Sequence, residues 1–222
     1  SDLHSVELED MIREGAAQCL TVDATVSSFY QDMRAPGIEG VLPFLELRED
    51  RGEKVCTLSG TALFRDTDLI TVLDRDDSRT LMWMRGKNGG TLETQHGLVE
   101  VTYLDRSLTA ENDRATLELK LTLTAASSEY NKEALMAEAK QLVEQRCRSL
   151  ITQLQTMECD AVGFGQQLRR QHLQHWNKLD RPWQDVFTDY PVQVEVTVKN
   201  VIWGRIWSEE GIVTGKEAPH GT

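Results

Sequence analysis

Histidine and cysteine side chains that could bind a metal are present, but they do not fall in a metal-binding pattern. His172 and His175 lie three residues apart, and Cys159 precedes them. Zinc sites are typically built from cysteine pairs separated by two to four residues, or from a His-Glu-x-x-His motif. The chain contains neither pattern. We therefore expect no native metal site.

Acidic side chains near residue 74 resemble the start of a calcium-binding loop. Asp74, Asp76 and Ser78 have the spacing of the first three ligands. Arg79 stands where the turn glycine is required, and Arg85 stands where the bidentate glutamate is required. The segment is therefore predicted to be a turn rather than a cation site.

Two closely spaced glycines invite comparison with a dinucleotide-binding loop. Residues 163–168 are Gly-Phe-Gly-Gln-Gln-Leu, with leucine in place of the third glycine, and they follow a predicted helix instead of a strand. A helix end and restart explains them better, with Gly163 or Gly165 at positive φ. The chain also has no Gly-x-Ser-x-Gly elbow and no P-loop. The sequence thus predicts neither an enzyme nor a cofactor.

The charge of the chain argues against nucleic acid or an anionic lipid surface as the main partner. Its 222 residues include 36 Asp and Glu against 24 Lys and Arg, which gives a formal charge of −12. Nucleic acids and anionic surfaces are bound through clustered basic side chains. Basic pairs such as Arg169 and Arg170 lie among glutamines on a predicted helix, so we interpret them as a solvated face. No apolar run approaches the ~18 residues that a membrane-spanning helix needs.

The cysteines and the start of the chain leave its compartment open. The chain begins Ser-Asp-Leu-His without a signal segment, which fits a cytosolic protein or a trimmed piece of an exported one. Cys147 and Cys159 fall on one predicted helix, about 18 Å apart. A disulfide needs Cα atoms within roughly 7 Å, so these two are not expected to pair. Cys147 is predicted to be a core residue, and a Cys19–Cys56 bridge stays open.

The first third of the chain is predicted to contain two helices and a set of hairpin strands. Helical patterns cover residues 6–19 and 24–34, with Asp23 as the N-cap of the second and residues 35–37 ending it. Apolar runs joined by charged turns then predict hairpins, with strands over 41–47, 55–64 and 69–73.

Later strands alternate between apolar and polar side chains. A short helix over 77–86, capped by Asp76 or Asp77 and ended by Gly86, precedes them. The alternating apolar sets are Val99, Val101 and Tyr103, then Leu117, Leu119, Leu121 and Leu123, and finally Val192, Val194, Val196 and Val198 in a strand over 191–203. A period of two predicts one buried face and favours an antiparallel sheet.

A long amphipathic helix is predicted over residues 129–158. Its apolar stripe recurs at spacings of three and four, at Leu135, Ala139, Leu142 or Val143, Cys147, Leu150, Leu154 and Met157. A helix of about 45 Å must lie along a sheet or another helix to bury such a stripe. The predicted fold class is α+β, with an antiparallel sheet covered by this helix and by shorter ones. Residues 208–222 are predicted to be a flexible tail.

The tryptophans are the remaining candidates for recognition. Trp83, Trp176 and Trp183 lie at apolar positions of short helices and are expected in the core. Trp203 and Trp207 follow the last strand, and they are the candidates for a partner surface, with burial as the competing expectation.

Several motifs occur in an order that points to one family. They are the segment Leu58–Asp66 with its Ser-Gly-Thr-Ala core, the helix around Trp83 with the glycines after it, Gly163-Phe164-Gly165, Trp176 with Trp183, and the Val192–Val198 ladder. This order resembles the C-terminal domain of the C subunit of bacterial spore germinant receptors, the Ger(x)C lipoprotein family. The resemblance covers residues 38–203.

The resemblance implies an organisation for the whole protein. Residues 1–52 would be the end of a preceding, middle domain, and 53–207 the C-terminal domain. The protein would be a lipoprotein on the outer face of the spore inner membrane, anchored through an N-terminal cysteine that is not among these four.

The resemblance also implies a function. The protein would be a non-enzymatic receptor subunit that interacts with two membrane-embedded subunits in nutrient-triggered germination. The alternative is an extracytoplasmic module that binds the nutrient itself, in a pocket lined by aromatic residues such as Trp83, Phe164 and Trp176.

Overall fold

A computed structural model describes residues 5–50, 52–126 and 131–204 of the protein. Within these ranges the chain forms helices and strands in the order α1 Ser5–Ala17, α2 Val26–Arg34, β1 Val41–Asp50, β2 Glu53–Arg65, β3 Asp68–Leu73, α3 Arg75–Met84, β4 Thr91–Thr94, β5 Gly97–Ala110, β6 Ala115–Ala125, α4 Lys132–Thr156, α5 Phe164–Gln171, α6 Leu173–Trp176, α7 Trp183–Phe187 and β7 Val192–Trp203. The predicted tail, residues 208–222, lies outside the described residues.

The residues that cap α2 and α3 differ from the predicted ones, because a capping side chain must accept a hydrogen bond from an amide in the first turn of the helix. Thr25, not Asp23, caps α2: its side chain accepts from the Ser28 amide, and the Ser28 hydroxyl returns a bond to Thr25. Asp74, rather than Asp76 or Asp77, caps α3 by accepting from the Asp77 amide at 2.9 Å.

The first sheet has the order β1-β2-β3, with both neighbouring pairs antiparallel. The predicted hairpins are therefore confirmed. A small apolar cluster joins this sheet to the first helix through Met11, Leu20 and Leu58. The domain boundary predicted at residue 52 falls in the β1–β2 turn, where Asp50 pairs with Glu53.

The second sheet has the order β4-β5-β6-β7 and is mixed rather than wholly antiparallel. β7 runs parallel to β6, whereas the other neighbours are antiparallel. Parallel neighbours need a long crossover, and α4 to α7 lie between these two strands in the chain. The α+β class is confirmed, with one parallel pair added to the expected sheet.

The alternation of β6 and β7 predicts burial correctly, but that of β5 fails after Val101. The four leucines of β6 are fully buried, and Val194, Val196 and Val198 of β7 are buried beside them. In β5 the register shifts between Val101 and Tyr103, so a β-bulge turns Tyr103 outward and leaves it 56% exposed.

The helix α4 is shorter than predicted and buries the predicted stripe as far as Leu154, whereas Met157 lies beyond its end and is only partly buried. Leu135, Ala139, Val143, Cys147, Leu150 and Leu154 are all fully buried, facing β7 and α3. The expectation that Cys159 shares this helix is wrong, because the chain leaves it at Met157 and Glu158 takes a positive φ. Cys19 and Cys56 are not joined in a disulfide, which answers the open question.

Candidate functional site

Asp160, which sequence analysis did not select, is a buried carboxylate that accepts four N–H donors. It lies between α4 and α5 and is 1% exposed. Its Oδ1 accepts from the amides of Gly163 and Phe164, and its Oδ2 accepts from the amide of Gly165 at 2.8 Å. The indole Nε1 of Trp183 donates to the same Oδ2 at 2.9 Å. Asp160 thus positions the start of α5 and a tryptophan of α7 together.

The glycines after Asp160 serve two different geometric needs. Gly163 has φ +90°, which confirms the expected positive φ at one of the two positions. Gly165 is instead needed for close approach: a Cβ there would lie 2.4 Å from the ring of Trp183. Any side chain at Gly165 would therefore push Trp183 away from Asp160.

Two of the three predicted pocket residues belong to one row of aromatic rings. Phe164 is fully buried and stacks on Phe187, with ring centroids 5.9 Å apart. Phe187 contacts Trp183 in turn, and Trp183 lies 5.7 Å from the half-buried ring of Trp176. This row packs α5, α6 and α7 together.

The third predicted pocket residue, Trp83, has a different role. It lies on α3, is fully buried, and donates from its Nε1 to the carbonyl oxygen of Gly89 at 2.9 Å. It therefore fixes the glycine loop that precedes β4. A nutrient pocket around Trp83, Phe164 and Trp176 stays a prediction.

Two surface hollows of the described chain lie away from these rings. One, of about 450 Å³, is lined by polar residues of α4 between Gln141 and Thr152. The other, of about 250 Å³, lies between the end of α4 and residues 188–192. Both are open and lined largely by polar side chains.

A second buried carboxylate, Glu39, lies close to Asp160. It precedes β1 and is 4% exposed, and its amide donates to the carbonyl oxygen of Asp160 at 3.2 Å. Its Oε1 accepts from the side chain of Gln184 at 3.1 Å. Burial, reinforced by the charge of Asp160, raises the pKa of Glu39 to about 7. Burial also raises the pKa of Asp160, against the effect of its N–H donors.

Arginine side chains hold the same region by binding backbone carbonyls. The Arg65 guanidinium donates to the carbonyl oxygens of Met157 and Glu158, just after α4. Arg85 donates to the carbonyl oxygen of Ala161 at 2.8 Å and forms an ion pair with Asp32 of α2 at 3.2 Å. These contacts join α2, β2 and α3 to the end of α4.

Only one of the two tryptophans predicted to form a partner surface lies among the described residues. Trp203 is the last residue of β7 and is 37% exposed, whereas Trp207 lies outside the described residues. The neighbouring Ile202 is 50% exposed, and its Cα partner on β6 is Thr124. Tyr103 of β5 pairs with Thr122 of β6, two residues away. Exposed apolar side chains therefore occur at one end of the second sheet.

Neither a cluster of metal ligands nor a membrane-spanning helix occurs among the described residues. No group of three or more His, Cys, Asp or Glu side chains within them could hold a metal ion. Among the helices of the described ranges, none is long and apolar enough to cross a membrane. The polar network around Asp160 is engaged with the protein's own backbone and side chains.

Fold and site together define an α+β domain whose buried charged groups join its own segments. The chain belongs to the spore germination B3/GerAC like, C-terminal family, whose model matches residues 59–201. The family recognised from the motif order is thereby confirmed, and it is a family of germinant receptor subunits, not of known enzymes.

A solved structure shows the same fold. The crystal structure of the GerBC protein matches with a TM-score of 0.64 at 18% sequence identity, over 81% of this chain and 61% of that one. The chain thus spans about three fifths of the GerBC chain. No curated protein matches the chain by sequence.

Proposed function

We propose that the chain is part of a non-enzymatic subunit of a nutrient germinant receptor, and that it acts by contacting the two membrane-embedded subunits. The family match over residues 59–201 is the observation that carries this proposal. The engagement of Asp160 and its neighbours within the fold agrees with it, because a catalytic group would have to face a substrate. The whole protein would be anchored by lipid to the outer face of the spore inner membrane.

The partner surface is proposed at the end of β7, around Trp203 and Trp207. Trp203 and Ile202 are apolar and exposed there, and aromatic side chains are enriched in protein interfaces. Because the chain is strongly acidic, with a formal charge of −12, an apolar contact avoids the repulsion that an acidic partner would suffer.

Co-purification of the full receptor tests this surface. The double variant Ile202→Glu with Trp203→Glu should lower the yield of co-purified membrane subunits about tenfold or more, because a tenfold loss of affinity corresponds to ~1.4 kcal/mol and truncation of a hot-spot residue costs ~2 kcal/mol or more. The matched control is Gln193→Glu with Thr197→Glu, which adds the same charge at exposed positions of the same strand.

The control should co-purify as the unchanged protein does. Equal recovery of the membrane subunits with both double variants would place the contact elsewhere on the molecule.

The alternative function, direct nutrient binding, has its own test. A panel of amino acids, sugars and nucleosides is added to the chain at high concentration and its thermal unfolding is followed. Ligand at a hundredfold over its Kd stabilises by ~2.7 kcal/mol, which raises the Tm of a domain this size by roughly 5–10 °C. The subunit proposal predicts no saturable shift, whereas one such shift would establish the alternative.

A further inference from the structure

Residues 37–40 form a junction between the first helices and the segment that contains Asp160. The amide of Gln166 donates to the carbonyl oxygen of Gly37 at 2.8 Å, and the amide of Glu39 donates to that of Asp160 at 3.2 Å. These backbone hydrogen bonds are made by Gly37 and by Glu39 itself, and Glu39 is 4% exposed. The carboxyl group of Glu39 is therefore enclosed by the junction that it belongs to.

The two carboxyl groups of this junction differ in their hydrogen-bond partners. Both oxygens of Asp160 accept two N–H donors each, so a proton on Asp160 would displace one of these donors. Glu39 accepts one bond, from Gln184, and its Oε2 has no hydrogen-bond partner among the described residues. If the two carboxyl groups hold one proton between them, that proton is therefore more stable on Glu39 than on Asp160.

Among the described residues, no cation forms an ion pair with Glu39. The charged or titratable groups that act on Glu39 are Asp160 and the guanidinium of Arg65, and Glu39 in turn acts on the thiol of Cys159, which Arg85 also faces. Both arginines bind backbone carbonyl oxygens of the segment after α4. An ionised Glu39 would be a buried charge beside a second buried carboxylate, and such a charge is costly without a partner.

We propose that Glu39 is a proton-binding site that couples the junction between residues 37–40 and 160–166 to pH. With the proton bound, the neutral carboxyl group is tolerated in its buried position. When the proton is lost, the charge of Glu39 opposes that of Asp160, and the junction opens more often. The first helices and β1 are then held less firmly against the segment that starts α5.

The direction of the pH effect follows from the two states of the junction. The pKa of Glu39 is about 7 when the junction is closed and about 4.5 when it is open to water. The closed state therefore holds an extra proton between these values, and its stability falls as pH rises from about 4.5 to 7. Below this window the stabilisation is complete, and above it the loss levels off.

Amide hydrogen exchange measures this opening in the intact 222-residue chain. Protection factors of the Glu39 and Gln166 amides, corrected for intrinsic exchange, should fall about 30-fold between pH 5.5 and 8, as expected for a pKa raised from 4.5 to about 7. In Glu39→Gln, which keeps the shape but cannot titrate, the same factors should not change with pH. The control Glu93→Gln, at an exposed position of β4, should behave as the unchanged chain does.

A ¹³C titration of the Glu39 carboxyl carbon provides a second measurement that needs no variant. A midpoint near 7 supports the proposal, and a midpoint near 4.5 overturns it. Unchanged protection of the Glu39 and Gln166 amides across the pH range, or the same fall in Glu39→Gln, would also overturn it.

Discussion

At the scale of single residues, Asp160 determines more of the local structure than any predicted site residue. It connects three successive amides at the start of α5 to the indole of Trp183. The usual sequence signal, an aspartate at the N-cap itself, is absent here, because Gly163 is the N-cap of α5 and Asp160 lies three residues before it. The contact with Trp183 carried no sequence signal either, since 23 residues separate the two side chains.

Asp160→Asn tests this role. The amide of asparagine would place a donor against N–H groups that now donate to Oδ1 or Oδ2, and would leave at least one of them buried without an acceptor. We expect the free energy of unfolding in urea to fall by roughly 3–5 kcal/mol. The exposed control Asp105→Asn should change it by less than about 0.5 kcal/mol. A loss from Asp160→Asn as small as the control's would contradict the role assigned to Asp160.

At the scale of helices and strands, local periodicity was reliable and exact boundaries were not. The apolar stripe of α4 and the alternation of β6 are as predicted. The bulge in β5 and the caps of α2 and α3 are not, because each depends on a hydrogen bond rather than on a repeat. A pattern of apolar residues locates an element but does not identify the side chain that starts it.

The cap of α2 gives a direct comparison of two neighbouring residues. Thr25→Ala removes an acceptor of the Ser28 amide and should lower the free energy of unfolding by about 1 kcal/mol. Asp23→Ala, two residues earlier and exposed, should have an effect near zero. Chemical denaturation of both variants measures the difference. A larger loss of unfolding free energy from Asp23→Ala would identify Asp23 as the cap instead.

At the scale of the whole molecule, the first sheet and the segment before it are joined to the rest by buried contacts. β1 pairs with β2 from Val41 to Asp50, and residues 37–40 bind the segment after α4. The boundary predicted at residue 52 lies inside the first of these interactions. It is still a prediction, and it can be tested with fragments.

Deletion of residues 1–52 removes β1 and uncovers β2. Leu58 and Leu63 of β2 are almost fully buried, and each contributes about 1.5–3 kcal/mol when buried. We expect the fragment 53–222 to be less stable by roughly 3 kcal/mol or more in urea, or to self-associate through β2 in light scattering. The fragment 1–207, without the predicted tail, is the matched control. Equal stability of 53–222 and the full chain would support the boundary.

The sequence by itself determined the α+β class, the hairpins, the buried faces of β6 and α4, and the family. Each of these follows from spacings within a few residues, or from the order of short motifs along the chain. Only the tertiary structure decided that β7 lies parallel to β6, and that Glu39, Asp160 and Trp183 meet. Such contacts join residues far apart in the chain. They depend on which arrangement buries the most apolar surface while most buried polar groups find a partner, and local spacing does not record that balance.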